Sequence, residues 1–249
     1  MKSCLIITGN EVNHNYFINL LKYNCANYKY TILKVASRLN NFEYFYPVFS
    51  KEILDDQKNQ IINFIFNRNK TICKNENYNS LKSPDNQIIF KNSKDLHLYL
   101  EQILTDKSFD LVLTYASPII KSKRILEMLS FNLHLGLSRF YRGGTSNITA
   151  LSMNELDKVG STCHELNEKI DDGKVLFEIK NLDFDNFENI DEMNYYILKQ
   201  SIRKLIKKIK IEDYSTFLIP KGSLILNKSL KASTIIKAEK NLLNNFITK

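Results

Sequence analysis

Cysteine, glycine and long apolar runs are all scarce in this chain of 249 residues. The four cysteines form no CxxC pair and have no spacing with the four histidines that suggests a zinc site. No stretch reaches the roughly 20 consecutive apolar residues that a membrane span requires. We therefore predict reduced thiols in a cytoplasmic protein, with no metal centre and no membrane insertion.

The opening segment, MKSCLIITGN, does not predict secretion. Its short apolar run ends before Gly9 and is too short for the core of a signal peptide. With 43% hydrophobic residues the chain can nevertheless bury a full core. Its length suits one large domain, residues 1–210, followed by a small C-terminal extension, residues 211–249.

The charge of the chain favours anionic partners, because the formal net charge is +8 and the isoelectric point is near 9.1. Such partners include a phosphorylated small molecule, a nucleic acid or a membrane surface. The sign of the charge does not choose among them. A general bias toward Lys, Asn and Ile can produce the same charge, so a nucleic acid is not the expected partner.

Patterns of short buried strands alternate with helical patterns along most of the chain. The strand candidates are residues 4–8, 28–35, 87–90, 110–115, 131–137, 160–166 and 174–179, and the helix candidates follow Gly9 and span 51–66, about 96–104 and about 191–210. This alternation predicts an α/β fold, with a mostly parallel sheet covered by helices on both faces. The loops after Thr8, Tyr115 and Leu137 should then face one crevice.

Two segments depart from this alternation. Residues 67–86 are rich in Asn and Lys and contain Pro84, which predicts an exposed loop. After Pro220, a short strand pair around Gly222 and a last helix from about Ser233 are expected to form the C-terminal extension.

Polar residues of chemical interest occur in FNLHLGLSRFYRGGTSN, residues 131–147. Its first seven residues alternate strictly between apolar and other residues, which is typical of a strand. Asn132 and His134 would share one face, about 6.5 Å apart. An Asn-x-His pair alone is a weak signal, but Gly160-Ser-Thr-Cys-His164 follows, and then Asp171-Asp-Gly173.

The order Asn-x-His, Gly-x-Thr-x-His, Asp-x-Gly resembles the folate-dependent formyltransferases, the family of glycinamide ribonucleotide and methionyl-tRNA formyltransferases. ITGNEVN, residues 7–13, also resembles the family's first strand and phosphate loop, and FDLVLTYASPII resembles the segment that holds the pterin. Within the family, NLHLGLS followed by YRGGTSN is similar to the bacterial enzymes that formylate nucleotide-linked amino sugars. The resemblance covers about residues 1–180, and six of the seven glycines fall in these segments.

The resemblance implies a Rossmann-like formyltransferase fold whose catalytic domain is residues 1–210. It implies 10-formyltetrahydrofolate as co-substrate, no metal, and a thymidine- or uridine-diphosphate amino sugar as acceptor for surface polysaccharide synthesis, with a homodimer as one possible assembly. The implied catalytic residues are Asn132, His134 and Asp171; the implied folate-binding residues are Tyr115, Ser117, Pro118, Ile119, Ile120, Asn167 and Ile170; the implied acceptor-binding residues are Gly9, Asn10, Asn13, His14, Arg142 and Gly143.

These residue types suit formyl transfer to an amine. Asn132 offers an amide donor to the oxyanion of a tetrahedral intermediate. His134, whose ordinary pKa is about 6.5, can take the proton that the attacking amine loses. Asp171 can orient the imidazole. Structural alternatives stay open for His14 as a capping residue, for Arg142 as a surface residue and for His164 as a supporting residue.

The acceptor is the least determined part of this interpretation. Glu11 and Val12 replace a glycine and a serine of the family's phosphate loop, which disfavours glycinamide ribonucleotide because a carboxylate repels a phosphate. Only about 40 residues follow Lys210, too few for a usual closed barrel of the kind that binds tRNA. Methionyl-tRNA, glycinamide ribonucleotide and a non-enzymatic anion-binding or nucleic-acid-binding module remain the alternatives.

Overall fold

A seven-stranded sheet forms the centre of the computed structural model, which describes residues 1–36, 69–226 and 231–247. The strands are β1 (Lys2–Gly9), β2 (Tyr28–Val35), β3 (Gln87–Phe90), β4 (Leu111–Tyr115), β5 (Ser130–His134), β7 (Ser161–Glu165) and β8 (Val175–Ile179). Their order is β3-β2-β1-β4-β5-β7-β8. The first five in this order are parallel, whereas β7 is antiparallel to β5 and β8 is antiparallel to β7.

Eight α-helices, two short 3₁₀ helices (Leu156–Lys158 and Phe184–Asn186) and two further short strands complete the elements of the described residues. The helices are α1 (Val12–Asn24), α2 (Lys70–Asn75), α3 (Tyr78–Leu81), α4 (Ser93–Asp106), α5 (Lys123–Leu126), α6 (Ser146–Ser152), α7 (Ile190–Lys210) and α8 (Ala232–Ile247). The two strands, β6 (Tyr141–Gly143) and β9 (Ser223–Ile225), pair in parallel as a separate small sheet.

Both faces of the large sheet are buried. Ile6 in β1 packs in one cluster with Phe17 of α1, whereas its neighbour Leu5 packs in another with Leu96 of α4. Successive side chains of a strand point to opposite faces, so a strand covered on both sides needs the uninterrupted apolar run that β1 has. Each fully buried leucine or isoleucine contributes about 1.5–3 kcal/mol of stability.

The order of the strands reverses direction next to β1, which lies between β2 and β4. The carboxyl ends of β1 and β4 are therefore adjacent: Thr8 pairs with Tyr115, and its Oγ1 donates a 2.6 Å hydrogen bond to the Tyr115 carbonyl oxygen. Open α/β sheets bind ligands at such a reversal, outside the carboxyl ends of the strands.

The predicted α/β class is confirmed: the sheet is mostly parallel and helices cover both faces. Strands β2 and β3 have the predicted bounds, while β5 ends at His134 rather than Leu137. The chain turns a few residues later, where the Leu137 carbonyl oxygen accepts from the Phe140 and Tyr141 N–H groups. The helix predicted for residues 51–66 lies outside the described residues.

The prediction of an exposed loop for residues 67–86 is correct in that most of its described residues are exposed, but two parts of the segment are helical. Residues 70–75 and 78–81 form α2 and α3, and Ile72 is only 2% exposed within the main core. Asp191 at the start of α7 accepts hydrogen bonds of 2.7 Å from the N–H groups of Asn69 and Thr71. This capping contact joins two segments that are distant in sequence, which is why composition alone misses it.

The C-terminal segment lies against the sheet domain. Its strand β9 pairs with β6 and not within a local strand pair around Gly222, so that prediction is wrong. Phe217 forms an isolated antiparallel bridge to Val175 of β8. Helix α8 packs Ile235 and Leu242 into one cluster with Leu151 of α6.

Within the described ranges, none of the helices combines the length and apolar character needed to cross a membrane.

Candidate active site

The carboxyl end of β5 brings Asn132 and His134 together with Asp171, which lies in the loop between β7 and β8. Asn132 Nδ2 lies 3.0 Å from Asp171 Oδ1, and His134 Nδ1 lies 3.4 Å from Asp171 Oδ2. The Asp171 carboxylate therefore accepts a hydrogen bond from the amide through Oδ1 and lies within ion-pair distance of the imidazole through Oδ2. The strand alternation read from the sequence places both side chains on the same face, as this contact requires.

Asn132 is oriented by its partner on the neighbouring strand. Thr114 of β4 pairs with Asn132 in the sheet, and Thr114 Oγ1 donates a 2.7 Å hydrogen bond to Asn132 Oδ1. The amide oxygen is thus occupied, and Nδ2 faces Asp171 and lies 3.2 Å from His164 Nε2. This orientation presents the amide to the site as a hydrogen-bond donor.

Ser146, the first residue of α6, lies on the other side of His134. Its Oγ is 3.2 Å from His134 Nε2 and donates to the Gly143 carbonyl oxygen at 3.1 Å. With Asp171 at Nδ1, we assign the neutral imidazole a proton on Nδ1 and a lone pair on Nε2. A side chain at Gly136 would not fit here, because its Cβ would lie 2.4 Å from His134 Nε2.

Asp171 is held in a strained loop. Its φ of 46° is in the left-handed region, which is uncommon for residues other than glycine. The Gly143 N–H donates to Oδ2 at 2.8 Å, and His164 Nε2 lies 3.2 Å from Oδ1. Gly173 allows the loop to close, since a Cβ there would lie 1.9 Å from the Glu165 carbonyl oxygen. The Asp-x-Gly spacing therefore has a steric reason.

The pKa values of the central pair are shifted in a way that suits proton transfer. Burial lowers the pKa of His134 below its ordinary 6.5, against the opposing effect of Asp171. Burial tends to raise the pKa of Asp171, but the nearby His134 and His164 outweigh it and hold that pKa well below the ordinary 3.8. At neutral pH the site therefore contains a neutral imidazole beside an ionised carboxylate, which is the state of a general base.

A cavity of about 1020 Å³ opens beside His134 at this edge of the sheet. The residues to which the sequence assigned the folate all line it: Tyr115, Ser117, Pro118, Ile119, Ile120, Asn167 and Ile170. Of the residues assigned to the acceptor, Gly9, Asn13, His14 and Gly143 line it as well. Asn10 and Arg142 are not among the residues that line the cavity.

Arg142 supports the loop that carries Asp171. Its Nη1 donates to Asp172 Oδ1 at 2.7 Å, and its Nε donates to the Gly222 carbonyl oxygen at 2.9 Å. The Asp172 side chain is 2% exposed and also pairs with Lys221. The guanidinium thus joins the loop to the C-terminal segment.

The first loop is closed by its own side chains. His14 Nδ1 accepts a 2.9 Å hydrogen bond from the Glu11 N–H, and a Cβ at Gly9 would lie 2.5 Å from the His14 ring. His14 therefore caps α1, and it also lines the cavity. The Glu11 residue, 9% exposed, lies at the N-terminal end of α1, so a negative charge already occupies the place where a helix favours an anion.

No protein-family profile matches the chain, and no curated protein is detectably similar to it in sequence. Solved structures do match it. A sugar N-formyltransferase from a Shewanella species has a TM-score of 0.57 at 16% identity, covering 97% of this chain and 88% of that one. An N-formyltransferase from Helicobacter canadensis, solved with folinic acid and dTDP-3-aminofucose, has a TM-score of 0.54 at 15% identity, covering 96% and 80%.

A methionyl-tRNA formyltransferase from Clostridium thermocellum is similar over 91% of this chain and 72% of that one, with a TM-score of 0.52 at 13% identity. The chain has the formyltransferase fold. The Rossmann-like formyltransferase fold that the motifs implied is thereby confirmed. At these identities the likeness concerns the fold, so the activity has to be argued from the site.

The formyltransferase fold brings further residues to the cavity that the sequence analysis missed. They include Ser146 of α6, Asn69 and Thr71 around the start of α2, Asp191, Asn194 and Tyr195 of α7, and Ile235 and Glu239 of α8. Apart from Ser146, which lies in the YRGGTSN segment, none of them belongs to a motif identified in the sequence. The helical pattern near residues 191–210 was visible, but only the packing of α7 and α8 against the sheet shows which helix face reaches the cavity.

Among the residues that the structure describes, no group of three or more His, Cys, Asp or Glu side chains is arranged to hold a metal ion.

Proposed function

We propose that this protein is an N-formyltransferase that moves the formyl group of 10-formyltetrahydrofolate to the amino group of a nucleotide-linked amino sugar. The observation that carries the proposal is the meeting of Asn132, His134 and Asp171 at the wall of a large cavity, at the carboxyl edge of a formyltransferase sheet. A formylated sugar nucleotide of this kind would serve surface polysaccharide synthesis in the cytoplasm.

The three side chains have complementary roles in the transfer. The amine nitrogen attacks the formyl carbon, which forms a C–N bond and leaves a negative charge on the formyl oxygen. The Asn132 amide N–H donates to this oxyanion. The proton that the amine loses passes to His134, and the bond from the formyl carbon to N10 of the folate then breaks as N10 takes a proton, which releases tetrahydrofolate.

Asp171 acts through the imidazole. Its ionised carboxylate fixes the ring and favours the imidazolium that forms when His134 takes the proton. Because the Asp171 pKa is held well below its ordinary value, the carboxylate stays ionised throughout the physiological range.

The folate would lie against the loops that follow β4 and β7. Ile120 and Leu166 pack together in one apolar cluster under these loops, and Pro118 and Ile119 line the cavity above it. An apolar wall beside exposed backbone suits a flat heteroaromatic ring. The co-substrate supplies the activated formyl carbon, and the protein supplies position and proton transfer.

The acceptor phosphates would lie away from the first loop, where Glu11 opposes them. The lysines that line the cavity in the described residues are Lys70, Lys91 and Lys169, all exposed. Exposed lysines can meet a diphosphate without the cost of burying their charge. This distribution supports a nucleoside diphosphate over the terminal phosphate of glycinamide ribonucleotide.

A comparison of three acceptors tests this assignment. We expect a nucleotide-linked amino sugar to give the highest kcat/KM, above glycinamide ribonucleotide and methionyl-tRNA, each assayed with 10-formyltetrahydrofolate. If methionyl-tRNA is the best acceptor and its rate falls steeply with salt, as phosphate-backbone binding does, the sugar assignment fails. Absence of formyl transfer to any of the three would favour a non-enzymatic binding module.

The pH dependence tests the role of His134. We expect kcat/KM to fall in acid with an apparent pKa below 6.5, because His134 must be neutral to take a proton and its pKa is lowered. Asp171→Asn removes the charge that favours the imidazolium, so the acid limb should move to lower pH while the plateau rate falls. A limb that stays in place in this variant would mean that another group titrates.

A further inference from the structure

The last helix, α8, forms part of the cavity wall. Ile235 and Glu239 lie one turn apart on this helix, and both line the cavity. Ile235 is 3% exposed and packs with Ile148 and Leu151 of α6, the helix whose first residue, Ser146, touches His134. The C-terminal extension therefore contributes directly to the space beside the reactive imidazole.

Glu239 differs from the other carboxylates that line this cavity. Asp171 is held by Asn132 and two histidines, Asp191 caps the start of α2, and Glu11 accepts from Asn69 Nδ2 at 3.4 Å. Glu239 has no hydrogen-bond or ion-pair partner among residues 1–36, 69–226 and 231–247, although it is partly buried. Burial raises its pKa above the ordinary 4.5. A partly desolvated carboxylate without a hydrogen-bond partner raises the free energy of the free protein. A ligand that donates a hydrogen bond to it would therefore gain binding free energy.

The position of Glu239 separates it from the folate segments. Ile120 and Leu166, which underlie the folate loops, pack in the cluster on the α4 side of the sheet. Helix α8 packs instead in the cluster formed with α6 and α7, which includes Met193. The wall that carries Glu239 thus belongs to a different cluster from Ile120 and Leu166, and we assign this wall to the acceptor.

We propose that the Glu239 carboxylate accepts hydrogen bonds from hydroxyl groups of the acceptor and so makes α8 a determinant of acceptor specificity, an inference that rests on the proposed function. A carboxylate can only accept, so it selects a ligand rich in O–H or N–H donors, as a sugar is. The amine to be formylated has to lie at His134, which leaves the hydroxyls of the same molecule for Glu239.

Steady-state kinetics and calorimetry on Glu239→Gln test the proposal. The amide keeps the shape but loses the charge, so a charge-assisted hydrogen bond becomes a neutral one. We expect the acceptor KM and the calorimetric acceptor Kd to rise about tenfold, with kcat and the folate Kd changed by less than about twofold. The free variant should unfold at the same or a higher temperature, since a partly buried charge with no partner among the described residues is removed. Glu101→Gln, which neutralises an exposed carboxylate on α4, is the matched control and should change neither the acceptor KM nor the acceptor Kd.

An acceptor analogue that lacks one sugar hydroxyl completes the test. The analogue that lacks the hydroxyl in contact with Glu239 should bind the wild type more weakly than the complete acceptor does. In Glu239→Gln this difference in affinity should be smaller, because the variant and the analogue weaken the same hydrogen bond. If the variant keeps the wild-type acceptor KM, or if folate binding weakens instead, the inference is wrong while the proposed function stands. If the wild type neither binds nor formylates any nucleotide-linked amino sugar, both the proposed function and the inference are wrong.

Discussion

Replacing His134 with alanine should lower kcat/KM for formyl transfer by at least a hundredfold while the protein stays folded. The variant loses the group that takes the amine proton, and a general base contributes about 10²–10⁴-fold. Asn132→Ala should have a comparable effect, because removal of one oxyanion donor costs about 10²–10³-fold. The measurements are initial rates with a nucleotide-linked amino sugar and thermal unfolding of each variant.

The combination of the two substitutions distinguishes catalysis from simple disturbance of the site. When two residues act as one catalytic unit, removing either of them already loses most of the rate that the unit provides. The double variant Asn132→Ala, His134→Ala should therefore be little slower than the slower of the two single variants. Asp171→Asn keeps the shape of the carboxylate and should also lose at least a hundredfold, because the imidazole loses its orienting charge. A folded His134→Ala variant with near wild-type rates would refute the mechanism.

Gly136→Ala should lower the rate by about a hundredfold with an intact fold. The added Cβ would lie 2.4 Å from His134 Nε2 and 2.5 Å from Ser146 Cβ, so the imidazole or α6 has to move. A displacement of about 1 Å at a reacting group can cost a hundredfold in rate. The clash involves a side chain beside the cavity, so we expect the unfolding temperature to change much less than the rate.

The matched control for this prediction is the same change in a protein without the imidazole. Added to His134→Ala, Gly136→Ala should have almost no further effect on the residual rate, because the group that it displaces is already absent. An equal hundredfold loss in both backgrounds would show that Gly136→Ala acts through the general structure of the loop. A wild-type rate in the single variant would mean that the position of His134 is not critical.

Local patterns predicted the parts of the fold that depend on local physics. The bounds of β2 and β3 followed from short apolar runs, and the shared face of Asn132 and His134 followed from strict alternation in β5. That Asp171 lies near both was implied by the resemblance to the folate-dependent formyltransferases, and its contacts with Asn132 and His134 agree with this. Glycines marked the steric limits at Gly136 and Gly173.

Contacts between distant segments could not be predicted in the same way. Ser146 lies beside His134 only because the chain turns at Leu137, and β9 pairs with β6 instead of forming a local strand pair. The pairing of Arg142 with Asp172 likewise joins strand β6 to the loop between β7 and β8. Such pairings depend on which surfaces meet, and single-residue patterns contain little of that information.

Transfer of a labelled formyl group tests the central claim most directly. The protein is incubated with 10-formyltetrahydrofolate that carries ¹³C in its formyl group and with a nucleotide-linked amino sugar, and the acceptor is analysed by mass spectrometry over time. The wild type should move the label to the acceptor amine, one formyl group replacing one hydrogen, while His134→Ala should do so at least a hundredfold more slowly. An acceptor that stays unlabelled with the wild type, whether or not the folate is consumed, would contradict the proposed function.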